Sequence, residues 1–98
     1  MQVKEISVAE CKKLCAQGRA CLVDVRPHEM AHEPYIEGMH HVPLSELEWA
    51  DIEPLVSPDK ELVFICQRGI TSMKAAELVV RQGFKGVCYS VTGGFSEW

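Results

Sequence analysis

The chain has no long apolar run. None approaches the roughly 20 residues that a helix needs to cross a bilayer, so no membrane span is expected. Positive charge is also scarce. Ten Lys and Arg stand against fourteen Asp and Glu, a formal charge of −4, and no basic stripe exists to neutralise phosphates. Nucleic acid and acidic membrane surfaces are therefore not expected as partners. No repeat, linker or low-complexity tract breaks the 98 residues, which are enough for one domain, 1–98, with its own core. The opening Met1-Gln2-Val3-Lys4-Glu5 lacks the apolar stretch of a signal peptide. Cysteines number five, an odd count: Cys11, Cys15, Cys21, Cys66 and Cys88. Most fall at apolar positions of expected elements, so they read as reduced thiols of a cytoplasmic protein rather than a disulfide frame.

What is present centres on Glu61 to Ser72. Leu62 to Ile65, followed by Cys66, is a short apolar run of the kind found in a strand buried on both faces. Met73, Ala76 and Val80 then recur at helical spacing, widened by Ala75, Leu78 and Val79, so a helix is expected from about Ser72 to Gln82, with Gly83 as its stop. A cysteine at the end of such a strand, before a tight turn into a helix, faces the free amides of the helix N-terminus, which is an anion site. Those amides and the helix dipole stabilise negative charge on sulfur, and the thiolate is the nucleophile. Neither Asp nor Glu stands in Ser72-Met73-Lys74-Ala75, so the positive pole is left open, with Arg68 and Lys74 adding to it. The competing reading is an inert core thiol, the commonest state of a free cysteine. The strand, Gly-containing turn and amphipathic helix around Cys66 argue for the reactive one.

Cys66-Gln67-Arg68-Gly69-Ile70-Thr71 resembles the six-residue active-site loop of the rhodanese (thiosulfate sulfurtransferase) family. Three further segments resemble family marks in the same order. They are Leu22-Val23-Asp24-Val25-Arg26, Ile36-Glu37-Gly38 with Val42-Pro43, and Gly93-Gly94-Phe95-Ser96-Glu97-Trp98. The resemblance implies a rhodanese-like three-layer α/β fold, a parallel sheet of about five strands with helices on both faces. It also implies a sulfurtransferase without a cofactor, which takes a small sulfur-containing anion as donor and a thiol, cyanide or protein as acceptor. Position and resemblance together assign Cys66 as the catalytic nucleophile that becomes a persulfide. Backbone N–H groups from Gln67 to Ser72 would hold the anion, and Gly69 lets the loop curl round the sulfur. Arg68 is the contact for an anionic donor. Thr71 and Ser72 offer hydroxyls either to sulfur or as helix caps, and Ile70 completes the loop. In the family the pair matching Asp24 and Arg26 braces the loops, and a buried carboxylate needs such a partner in any case.

Two other readings compete with this one. Phosphatases that use a strand-loop-helix cysteine need a seven-residue loop closed by arginine, whereas Ser72 holds that position here. The other rival is a sulfur-relay or protein-interaction module, which would take persulfide sulfur from a partner protein and make little use of free thiosulfate. His28-Glu29-Met30-Ala31-His32 fits the zinc-protease pattern H-E-x-x-H, but Pro27 and Pro34 confine the helix to about two turns, so no metal is expected.

Elsewhere, Val3 to Ile6 reads as a strand. Ser7-Val8-Ala9-Glu10 is a capping box opening a helix whose core face holds Val8, Cys11, Leu14 and Cys15. Ala20 to Val25 reads as a central strand. His40 and His41 are expected in a short strand, one pointing inward and one outward. Ser45-Glu46-Leu47-Glu48 reads as a second capping box, opening a helix to about Leu55 with a Leu44–Trp49 staple. Glu77 and Arg81 are spaced to pair. Gly86 to Val91 is the last strand, and the final helix is expected to be short, with Trp98 less covered than in the family. Pro34-Tyr35 and Glu37 stand where the family commonly has Gly-His and Pro.

Overall fold

Two apolar runs form the centre of the sheet in the computed structural model, which describes residues 2–31 and 36–98. They are β2 (Ala20–Asp24) and β4 (Glu61–Ile65), paired in parallel with Leu22 beside Val63 and Asp24 beside Ile65. Strand β5 (Cys88–Val91) lies on the other side of β4, β1 (Val3–Ile6) outside β5, and β3 (His40–His41) beyond β2. The order is β1-β5-β4-β2-β3, and every pairing is parallel. Parallel strands need crossovers, and the amphipathic stretches between them supply these as helices.

Side-chain alternation along the strands divides the core in two. Cys21, Val23, Leu62, Phe64, Cys66 and Cys88 face α2 (Trp49–Ile52) and α3 (Ile70–Arg81), meeting Ile52, Ala75, Ala76 and Val79. Leu22, Val63, Ile65 and Val91 face the opposite way, toward Cys11 of α1 (Val8–Ala16) and Phe95 of the closing 3-10 turn, Gly94–Glu97. The result is the three-layer α/β arrangement. Phe64, fully buried, contributes on the order of 1.5–3 kcal/mol by leaving water. Among the described residues no helix is long and apolar enough to cross a membrane.

Ser7 caps α1 in a complete capping box with Glu10. The hydrogen bonds from Ser7 hold the Glu10 carboxyl below its ordinary range. Several expectations need correction. Ser45–Glu48 is not a capping box: Leu44–Glu46 makes one 3-10 turn and Leu47 is extended. Leu47 is drawn into the core, so the chain restarts at α2 from an extended Glu48 and passes into a second 3-10 turn at Pro54. Trp49 packs on Phe84, with ring centroids 4.9 Å apart. The turn after Pro27 is one 3-10 turn, His28–Met30, because Pro27 itself is extended. His32, Pro34 and Tyr35 lie outside the described residues. His28 meets Glu46 at 2.7 Å, and its ring stands edge-on to His41. Both histidines of β3, a two-residue strand at the sheet edge, are exposed. The ion pairs among the described residues are Arg19–Glu61, Asp24–Arg26 and His28–Glu46, so Glu77 and Arg81 do not pair. Strand β5 starts at Cys88, leaving Gly86 and Val87 exposed before it. At the C-terminus, Trp98 is half-buried. It rests on Phe95, and the Lys12 ammonium lies 5.1 Å from its ring.

Candidate active site

Strand β4 ends at Ile65, and Cys66 is the first residue beyond it, at the carboxyl ends of the strands where ligands of parallel sheets bind. The chain then turns within three residues into α3. That helix begins at Ile70, two residues earlier than its periodicity suggests, because Gly69 takes the left-handed conformation (φ +93°) as its N-cap. No acidic residue stands in the first turn. A Cβ at Gly69 would lie 2.8 Å from the Gly93 nitrogen, so the bare glycine allows the loop to pack on the Gly93-Gly94 turn.

The consequence is felt at sulfur. The Gly69 N–H donates to Cys66 Sγ at 3.0 Å and the Ser72 N–H at 3.3 Å, while the thiol itself reaches Ser72 Oγ at 3.4 Å. Ser72 Oγ is bonded to Ser90 Oγ at 2.7 Å, and both side chains are buried. The carbonyls of Cys66 and Gln67 are turned away, accepting from the N–H groups of Phe95 and Ser96 at 2.9 Å each. A Cβ at Gly94 would run into the Cys66 carbonyl oxygen, so this docking also requires glycine. With the carbonyls held by the C-terminal turn and amides aimed at sulfur, the loop is an anion cradle.

Behind it, Asp24 and Arg26 make a fully buried pair. Nε donates to both carboxylate oxygens at 3.1 and 3.0 Å, Nη2 donates at 2.8 Å, and the Arg26 backbone N–H adds a bond at 3.0 Å. The guanidinium carbon lies 4.1 Å from the Phe95 ring centroid. The Arg26 carbonyl can only accept, so His41 Nε2, 2.9 Å away, carries the proton. Val25 N–H bonds the Ile65 carbonyl at 2.9 Å. The buried pair thus fixes the end of β2 against Phe95 of the closing turn, while the Val25–Ile65 backbone bond ties β2 to β4.

A cleft of about 370 Å³ opens over Cys66, lined by Arg26, Pro27, Met30, Gln67, Arg68, Ile70 and Thr71. Cys66 forms its floor and is 3% exposed, whereas Arg68 and Ile70 are exposed at its mouth. Thr71 lines the wall; the hydroxyl at sulfur belongs to Ser72. Another cleft of about 400 Å³, between Leu14 and Tyr89, has no thiol in its lining.

The remaining cysteines are held differently. Burial, with Cys15 beside it, pushes the Cys11 thiol up to about 12, and burial alone pushes Cys88 up to about 11. Cys21 is also raised by burial, against the opposing pull of Lys60. All five are free thiols. Sequence reasoning missed Ser90, Met30 and Phe95. Ser90 had a readable signal, being a polar residue inside a central strand two positions from Cys88, on the same face. Met30 lay in a stretch whose turn geometry only the fold supplies.

Residues 7–98 match the profile of the Rhodanese-like domain family. Over its whole length the chain is 38% identical to YtwF of Bacillus subtilis, covering 92% of that protein. It is 35% identical to the human thiosulfate:glutathione sulfurtransferase, across 95% of this chain and 90% of that one. A solved human single-domain sulfurtransferase is similar to 96% of the chain and covered over 93% of its own length, at 35% identity with a TM-score of 0.71.

Proposed function

Because the chain belongs to the rhodanese-like domain family and is a sulfurtransferase of that family, we propose that it moves sulfane sulfur from thiosulfate or a related donor to a thiophilic acceptor through a Cys66 persulfide. The observation that carries this reading is the pair of amides on Cys66 Sγ, from Gly69 and Ser72. In the first half-reaction the Cys66 thiolate attacks the outer sulfur of thiosulfate. The S–S bond of the donor breaks, its electron pair leaves with sulfite, and Cys66 carries the sulfur as a persulfide anion. In the second, cyanide or a thiolate attacks that outer sulfur, and the bonding pair returns to Cys66 as thiolate.

Cys66 Sγ carries negative charge as the attacking thiolate in the first half-reaction and regains it as the departing thiolate in the second. The two preset amides therefore hold the thiolate at both ends of the cycle without reorganising. On deprotonation the Ser72 hydroxyl, held by Ser90, turns from acceptor to donor and adds a third hydrogen bond to sulfur. Arg68, exposed at the cleft mouth, draws in a dianionic donor and leaves the floor to sulfur chemistry. Asp24 and Arg26 act by bracing the loop.

The test is thiosulfate-to-cyanide transfer by wild type and Cys66→Ala, with intact mass recorded after exposure to donor. Thiocyanate formation and a gain of one sulfur, both lost in the variant, are the expected results. Mass gain without turnover would favour the relay reading, with a protein as donor or acceptor. Activity that survives Cys66→Ala would contradict the assignment.

A further inference from the structure

Three large hydrophobic side chains among the described residues are exposed: Met30, Ile70 and Val87. Met30 (49%) and Ile70 (65%) both line the cleft over Cys66. Single exposed hydrophobics are ordinary, so the informative fact is that two from separate elements converge on one cavity. Met30 ends the 3-10 turn that follows β2, and Ile70 opens α3. With Pro27 they form an apolar wall. Arg68 lines the same cleft and, among the described residues, forms no ion pair. Transfer from thiosulfate to cyanide makes no use of that wall, since both are small hydrophilic anions. A cavity of about 370 Å³ falls in the range that holds an organic ligand of many atoms.

We propose that the acceptor suited to this cleft is a small organic thiol with an apolar chain next to its sulfur and an anionic group at the far end. Met30 and Ile70 contact the chain and Arg68 pairs with the anion. This rests on the sulfurtransferase reading and names the acceptor class for the same site. Cys66 lies at the floor of the cleft, so the acceptor enters sulfur first. Its chain then runs along the wall, and its charge ends at the mouth. Its thiolate attacks the outer sulfur of the Cys66 persulfide, forming the new S–S bond of an organic persulfide. The old S–S bond breaks, and its electron pair stays on Cys66 as thiolate. Sulfite has left by then, so Arg68 is available first to the donor and then to the acceptor.

The experiment uses thiosulfate as donor and ω-mercaptocarboxylates from 3-mercaptopropanoate to 6-mercaptohexanoate as acceptors, with the matching mercaptoalcohols and cyanide in parallel. Thiol acidity changes little along the series, so the trend in kcat/KM reads contact with the wall. We expect kcat/KM to rise about 2–4-fold per methylene, the upper figure being full transfer of a CH₂ from water. Each carboxylate should exceed its alcohol by about tenfold. Met30→Ser should cut the hexanoate-to-propanoate ratio about 3–10-fold, and Ile70→Ser should move it the same way. Arg68→Ala should remove the advantage of carboxylate over alcohol. These are ratios within one enzyme, so partial loss of folded protein does not affect them. A flat series, with cyanide transfer running in the same preparation, would overturn this proposal and leave the sulfurtransferase reading standing. Absence of transfer to cyanide and to every thiol would overturn both.

Discussion

Cys66 and Cys88 are the same residue type at opposite ends of two neighbouring strands, both buried and both facing α3. Cys66 follows the carboxyl end of β4, and Cys88 opens β5 at the amino end. At the first, backbone N–H groups of the loop and helix start point at sulfur, from 3.0 and 3.3 Å. At the second, the neighbour is a carbonyl: Cys88 Sγ donates to the Ala76 oxygen at 3.7 Å, and burial lifts its pKa to about 11. A carbonyl favours the thiol and amides favour the thiolate. On the proposed reading, burial alone therefore does not separate the nucleophile from a core thiol. The direction of the nearest backbone dipoles does, and that direction is set by which end of a parallel strand the cysteine occupies.

The largest effect should come from exchanging the two residues' fates. Cys66→Ala is expected to lower sulfur transfer by at least about 10³-fold, as removal of a nucleophile does, whereas Cys88→Ala should stay within about twofold of wild type. Equal losses in the two variants would erase the distinction. Next is the brace behind the loop. Asp24→Ala leaves the Arg26 guanidinium buried without its carboxylate, so unfolding by denaturant should show a loss of about 3–5 kcal/mol. A loss under 1 kcal/mol would mean that the pair does not hold the strand ends. Ser72→Ala keeps the backbone amide but removes the hydroxyl and orphans Ser90, so kcat should fall about tenfold with the fold retained. Unchanged kcat would confine Ser72 to its N–H.

The smallest effect is on pH dependence. The raised thiols of Cys11 and Cys88 hold their protons more tightly when folded than at their ordinary value of 9.0. Between about pH 9 and about 12 the folded chain therefore binds more protons than the unfolded one. The stabilisation is complete below about 9 and is lost as pH rises through the folded values. Denaturant midpoints measured from pH 8 upward should fall, and Cys88→Ala should flatten the fall. Midpoints that rise over this range would contradict the sign.

Much of this contrast was legible before the fold. Apolar runs marked β2 and β4, Ser7 and Glu10 marked the start of α1, and the glycine after Cys66 marked a tight turn. What could not be read was tertiary. The Ser45–Glu48 pattern satisfies the local rule for a capped helix, yet burial of Leu47 overrides it. The start of α3 shifted to Ile70 because Gly69 must approach Gly93, a contact between residues 24 apart in the chain. Ser90 and Phe95 joined the site for the same reason, since a residue recruited by strand register or by the closing turn leaves no short-range spacing. His40 and His41 sit on a two-residue edge strand where both stay exposed, even though the His41 ring reaches the Arg26 carbonyl.

On the proposed reading, the backbone selects one thiol among five. Its most direct test is peptide mapping by mass spectrometry of wild-type protein exposed to thiosulfate and then trapped with an alkylating agent. A single added sulfur is expected, located on Cys66, with Cys11, Cys15, Cys21 and Cys88 recovered without it. Added sulfur on Cys88 or Cys11 at a level comparable to Cys66 would contradict it.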